Sequence, residues 1–159
     1  MITGFQHTGV TVSNLEEAIR FFRDIFGLEA TEIREVAGER MEKLHRIPGA
    51  FLRICNILTP GDGNIELLEF TTPKGKKLDL PTNNYGVMHL AFLVDDLPKM
   101  YDDLSKKGIN FNCPPLPIPS GALRGWNGLY LRGPDGITIE LMEPPKGVKV
   151  HPATGWVLE

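Results

Sequence analysis

The chain has 159 residues, with Lys+Arg 17 against Asp+Glu 20 and a formal net charge of −3. No basic run is interleaved with aromatics, which argues against a nucleic-acid partner, and no uninterrupted apolar stretch reaches the roughly 20 residues of a membrane span. The opening MITGFQHTGV carries no basic segment followed by an apolar one, so a cytoplasmic address is expected. Two cysteines, Cys55 and Cys113, are too few for a disulfide framework or a thiolate zinc site and read as reduced packing residues.

Taken in chain order, the first element is a half-buried strand in which Thr8, Val10 and Val12 alternate with His7, Gly9 and Thr11. Ser13 and Glu16 then form a capping-box pattern, and Leu15, Ala18, Ile19, Phe22 and Phe26 recur at helical spacing until Gly27. A strand over 30–36 follows, then a helical or looped stretch containing Glu39 to Arg46. Two strands, FLRICNIL and NIELLEF, are joined by the turn Gly61-Asp62-Gly63. Residues 71–86, rich in turn formers and lysines, read as a linker.

From residue 87 the pattern repeats. Leu90, Phe92 and Val94 alternate with His89, Ala91 and Leu93; Asp96 caps a helix with Pro98 in its first turn; Leu97, Tyr101 and Leu104 form its apolar stripe up to Gly108. A short strand near 110–112, a proline-rich loop PPLPIPSG, the strand GLYLR, the turn 133–136 and the strand ITIELME complete it. The expected architecture is α+β: two tandem βαβββ modules, about 1–70 and 87–145, in one domain over 1–145. Residues 146–159 form a C-terminal extension, a candidate arm in a dimer.

Superposing the repeats puts His7 on His89 and Glu66 on Glu140. In each module the apolar alternates belong against the helix, so all four polar residues point to the opposite face. If the two sheets curl toward each other over that face, two imidazoles and two carboxylates converge. Burying two carboxylates costs several kcal/mol each without a compensating partner, and a divalent cation is such a partner. The donor set suits Zn, Ni, Co, Mn or Fe(II), whereas Ca or Mg would call for oxygen alone. Arg53, Trp126 and Tyr130 lie on segments that could touch a substrate; His45 and His151, in polar, turn-rich contexts, read as surface residues.

These motifs, from FQH with its following helix through IELLEF, MHLAFLVDDL and LRGPDGITIELME, cover most of residues 4–145, and the sequence resembles the vicinal oxygen chelate superfamily. That superfamily spans glyoxalases, epimerases, extradiol dioxygenases and bleomycin-resistance proteins. The resemblance implies a half-open, mixed-sheet barrel around one divalent metal per site, with His7, Glu66, His89 and Glu140 as ligands. It further implies a homodimer acting on a small-molecule substrate. With all four ligand positions filled, the expected enzyme is a lyase, isomerase or epimerase that stabilises an enolate on the metal while Glu66 or Glu140 moves the proton. The alternatives are an Fe(II) extradiol-type dioxygenase and a drug-sequestering resistance protein.

Overall fold

The computed structural model describes residues 1–61, 63–151 and 155–158. It is an α+β chain with two mixed sheets, which falls into two compact units, Met1–Leu78 and Asp79–Glu159. Among the described residues no helix is long and apolar enough to cross a membrane.

The first unit runs β1 (Thr8–Thr11), α1 (Leu15–Phe26), β2 (Glu29–Ala30), β3 (Arg34–Val36), α2 (Glu39–His45), β4 (Phe51–Thr59) and β5 (Gly63–Thr72). Its sheet has the order β1-β5-β4-β2, with β3 also on β4; β1 lies parallel to β5 and the rest are antiparallel. The expected strand over 30–36 is split, because Thr31 exchanges hydrogen bonds with Asn56 and draws the Cys55 thiol onto its carbonyl at 3.2 Å. This local detour interrupts the ladder, as a bulge does. Asp62, in the expected hairpin turn, lies outside the described residues.

Leu15, Ala18 and Phe22 of α1 are buried, as are Cys55, Ile57, Ile65 and Leu67, whose parity puts them on the α1 side of the sheet. The expected capping box at Ser13 is displaced by one residue: Asn14 is the cap, its side chain accepting from the Glu17 amide at 3.0 Å. Glu16 is thereby released to pair with Arg53. Gly27 closes the helix at φ 68, the left-handed conformation that a glycine adopts without steric cost. On the other side of the sheet α2 covers one end, where Met41, Ala50, Leu52 and Ile54 cluster with Val36, Ile47, Leu68 and Phe70. His45, read as a surface residue, packs edge-on against Phe70 at 5.2 Å.

The second unit repeats the plan with β6 (His89–Leu93), α3 (Leu97–Lys106), β7 (Leu116–Pro117), β8 (Asn127–Arg132), a 3-10 turn at Pro134–Gly136 and β9 (Thr138–Glu143). The strand order β6-β9-β8-β7 matches that of the first sheet, again with the first strand parallel to the last. The strand expected at 110–112 is reduced to a single bridge, Phe111 to Leu131. An edge strand occupies part of the proline-rich stretch instead. Pro117 is tolerated there because an edge leaves one row of N–H groups unpaired in any case. Asp96 caps α3 through the Lys99 amide, and Leu97 and Leu104 are buried with Leu129, Leu131, Ile139 and Leu141.

The C-terminal extension is folded back on its own unit. Residues 149–151 and 156–158 exchange backbone hydrogen bonds, and Gly155 lies beside Leu93 of β6; residues 152–154 and 159 are outside the described set. Replacing Asn14 by Ala should remove the α1 cap and lower unfolding free energy by about 1 kcal/mol in urea titration.

Candidate functional site

In the first unit the parallel register of β1 and β5 sets Gly9 beside Glu66. His7 stands two residues earlier on the same face, and its Nε2 lies 3.4 Å from Glu66 Oε2. The carboxylate reaches the imidazole diagonally, across a position with no side chain. The other ring nitrogen, Nδ1, is engaged by Gln6 Oε1. With Nδ1–H donated there, the Nε2 lone pair is directed toward the carboxylate, the orientation that a metal-binding imidazole requires.

The second unit reproduces this construction. Ala91 lies beside Glu140, His89 stands two residues before it, and His89 Nε2 is 3.1 Å from Glu140 Oε2. A small residue again separates the donors in sequence while leaving the diagonal open. Tyr130, directly opposite Glu140 on β8, completes the group, its ring edge-on to His89 at 5.7 Å. Burial first, then the charge of Glu140 and a hydrogen bond to it, push the Tyr130 phenol up, so it stays protonated.

Ligand bonds of about 2.0–2.2 Å place neighbouring donors on one ion about 3.0 Å apart in octahedral geometry and about 3.4 Å apart in tetrahedral geometry. Both pairs, at 3.4 and 3.1 Å, fall in that interval. The residues present therefore fit the half-set of donors in each unit. Among the described residues the donors come as pairs, and no group of three or more His, Cys, Asp or Glu side chains is gathered that could hold an ion.

Of the three residues read as substrate contacts, Arg53 is placed elsewhere. It lies opposite Glu69 on β4, and that parity turns it to the α1 side, away from His7 and Glu66. There it binds Glu69 at 3.0 Å and also Glu16, tying the sheet to the start of α1, while Glu69 accepts from the Leu15 amide. The Arg53 hydrogen bond is the main cause that holds the Glu16 carboxyl below its ordinary range. Trp126 is buried just before β8, and Tyr130 meets the His89–Glu140 pair.

Other residues at these pairs were not singled out in the sequence. Arg34 sits 4.0 Å from Glu66 and donates to Asn56 at 3.0 Å, and Asn56 in turn donates to Asn64. Nothing marked Arg34 beforehand, because its placement depends on the detour at Thr31. Gly9 and Ala91 carried a readable signal: small residues two places after each repeated histidine.

The family model for the glyoxalase/bleomycin resistance protein/dioxygenase superfamily matches residues 4–141, and the chain belongs to that superfamily. Among curated proteins it is similar to a 2-epi-5-epi-valiolone epimerase of Actinomyces sp., 30% identical over 93% of this chain and 83% of that protein. It also resembles a lactoylglutathione lyase of Arabidopsis thaliana, 27% identical over 87% of this chain but only 44% of that longer protein. Among solved structures, a glyoxalase family protein from Bacillus cereus superposes with TM-score 0.76 at 27% identity, covering 90% of this chain and 95% of the other.

Two outcomes follow from this geometry. Gly9→Val, favourable for a strand but bulky beside the imidazole, should leave thermal stability nearly unchanged and weaken metal binding at least about tenfold by calorimetric titration. Arg53→Met leaves buried Glu69 without its cation and should cost about 2 kcal/mol at neutral pH. The Glu16 carboxyl, held low chiefly by its hydrogen bond from Arg53, stabilises the fold above its unfolded pKa, and that contribution is lost as pH falls through the folded pKa. Denaturant titrations of Arg53→Met should therefore show a flatter loss of stability across the acid range.

Proposed function

We propose that the protein is a divalent-metal enzyme that moves a proton on the carbon next to a carbonyl, as a lyase, isomerase or epimerase on a small substrate. The observation that carries this reading is the duplicated His–Glu pair, built at the same register in both units and spaced as ligands of one ion are spaced. The named relatives, an epimerase and a lactoylglutathione lyase, support the reaction class.

In this reading His7, Glu66, His89 and Glu140 are the ligands of a metal from the series Zn, Ni, Co, Mn or Fe(II). When bound, the ion supplies Lewis-acid stabilisation of the negative charge that develops on the carbonyl oxygen. The chain's own residues do the rest. A glutamate takes the proton from the adjacent carbon and returns it, to the same or the opposite face or to a neighbouring atom. Gln6 Oε1 engages the other ring nitrogen of His7, Nδ1. Tyr130, held protonated, donates to Glu140 and limits how that carboxylate turns, whereas Glu66 faces His7 and the cation of Arg34. We assign Glu66 as the base to test first.

Metal-loaded protein offered a panel of thiohemiacetals, acyl-CoA esters and cyclic ketoses in heavy water should place deuterium next to a carbonyl without taking up oxygen. Glu66→Gln should keep most of its metal, since an amide oxygen still ligates, and lose about 100-fold or more in exchange rate. His7→Ala and His89→Ala should each lose most of the metal. Oxygen-dependent cleavage of a catechol that survives Glu66→Gln would overturn the proposal in favour of an Fe(II) dioxygenase. A homodimer is proposed with it, since β1 and β6 each pair on one side only within their sheets and a second copy would protect such edges. Light scattering should return twice the chain mass.

A further inference from the structure

The two units diverge just beyond their donor pairs. Counting along β5 and β9 from the glutamates, Leu68 corresponds to Met142; across the sheet, Ile54 pairs with Leu68 and Gly128 with Met142. In the first unit this place is filled, because Ile54 and Leu68 are packed beneath Met41 of α2. In the second unit Gly128 stands where Ile54 stands, and among the described residues no helix corresponds to α2. A recess of about 170 Å³ opens there, its wall including Ala91, Leu93, Leu123, Trp126, Met142 and Trp156.

The recess lies on the sheet face that carries the His89–Glu140 pair. Ala91 and Leu93 share the face of β6 that carries His89, and Met142 shares the face of β9 that carries Glu140. From Glu140 to Met142 is two residues of strand, about 6.6 Å. None of the wall residues is charged, so an ionic group would lose its hydration there without compensation. An apolar cavity of about 150 Å³ takes up benzene, which sets the scale for a recess of 170 Å³. Its volume admits one ring and excludes a peptide helix, whose diameter with side chains is about 10 Å.

We propose that this recess is a substrate subsite for an uncharged hydrocarbon group about the size of a six-membered ring, carried a few bonds from the carbon that reacts at the His89–Glu140 pair. The inference rests on the proposed carbonyl chemistry and names the class of substrate: a small carbonyl compound with one compact apolar group. Trp126, 3% exposed, forms the fixed wall. Trp156, 63% exposed, is brought to the rim by the C-terminal extension, where the His151 amide donates to the Trp156 carbonyl and Gly155 lies beside Leu93.

The chain has two tryptophans and both line this recess, so all of its indole emission reports on one place. The test uses cyclohexanol as the probe and myo-inositol as a ring of the same size covered in hydroxyls, with EDTA present so that metal binding plays no part. Cyclohexanol should give a saturable blue shift and protect the emission from acrylamide, and inositol should not. Leu93→Asp, at a half-exposed position, and Trp156→Ala, on the extension, should each weaken cyclohexanol binding at least tenfold while circular dichroism stays unchanged. A shift that does not saturate, equal responses to both rings, or wild-type binding in both variants would overturn the subsite. So would a blue shift that grows with protein concentration alone, which would assign the recess to a second copy. Metal-dependent proton exchange that persists after such a result leaves the proposed reaction standing. Cyclohexanol binding by a protein that takes up no divalent ion once EDTA is removed would instead support the subsite and remove the reaction.

Discussion

The arrangement depends on a parallel strand pair in which a small residue lies beside a glutamate. Because side chains alternate across a pleated strand, β1 and β6 each turn one set of residues to the helix and the other to the open face. Gly9 and Ala91 fall on the open face, directly beside Glu66 and Glu140. Their lack of bulk lets the carboxylate lean toward the histidine two residues back, where a larger side chain would stand between the two donors. A shift of the register by one residue would send the glutamate to the helix face, so the apolar packing of α1 and α3 also fixes where the donors point.

The same alternation separates structural from chemical charges in the first unit. Glu66 and Glu69 are three residues apart on β5 and face opposite ways. Glu69 is buried beside Arg53 and the start of α1, and its partners compensate the lost hydration. Glu66 keeps solvent access and faces an imidazole instead. The duplication then diverges in how each open face is protected. In the first unit α2 supplies Met41 to an apolar cluster, whereas in the second a glycine, a proline-rich edge and the C-terminal extension leave a hollow.

Much of this was legible in the sequence, for identifiable reasons. Repeat spacing and period-two alternation located β1, β5, β6 and β9 and put His7, Glu66, His89 and Glu140 on the face away from the helices. Strong local signals, Gly27 and the Asp96-Pro98 pair, marked the helix ends. Tertiary hydrogen bonds hid the rest. The Thr31–Asn56 exchange splits a strand that reads as continuous and thereby places Arg34 near Glu66. Ser13 looks like a cap because the pattern tolerates a one-residue shift, and only the pull of Arg53 on Glu16 resolves it. The direction of Arg53 follows from its pairing with Glu69, which a lone arginine in an apolar strand does not reveal.

X-ray absorption at the metal edge of protein loaded with cobalt or zinc addresses the central claim most directly. The expected result is nitrogen and oxygen neighbours alone at about 2.0–2.2 Å, with imidazole scattering that diminishes in His7→Ala and again in His89→Ala. Sulfur neighbours, or imidazole scattering unchanged in both variants, would contradict it.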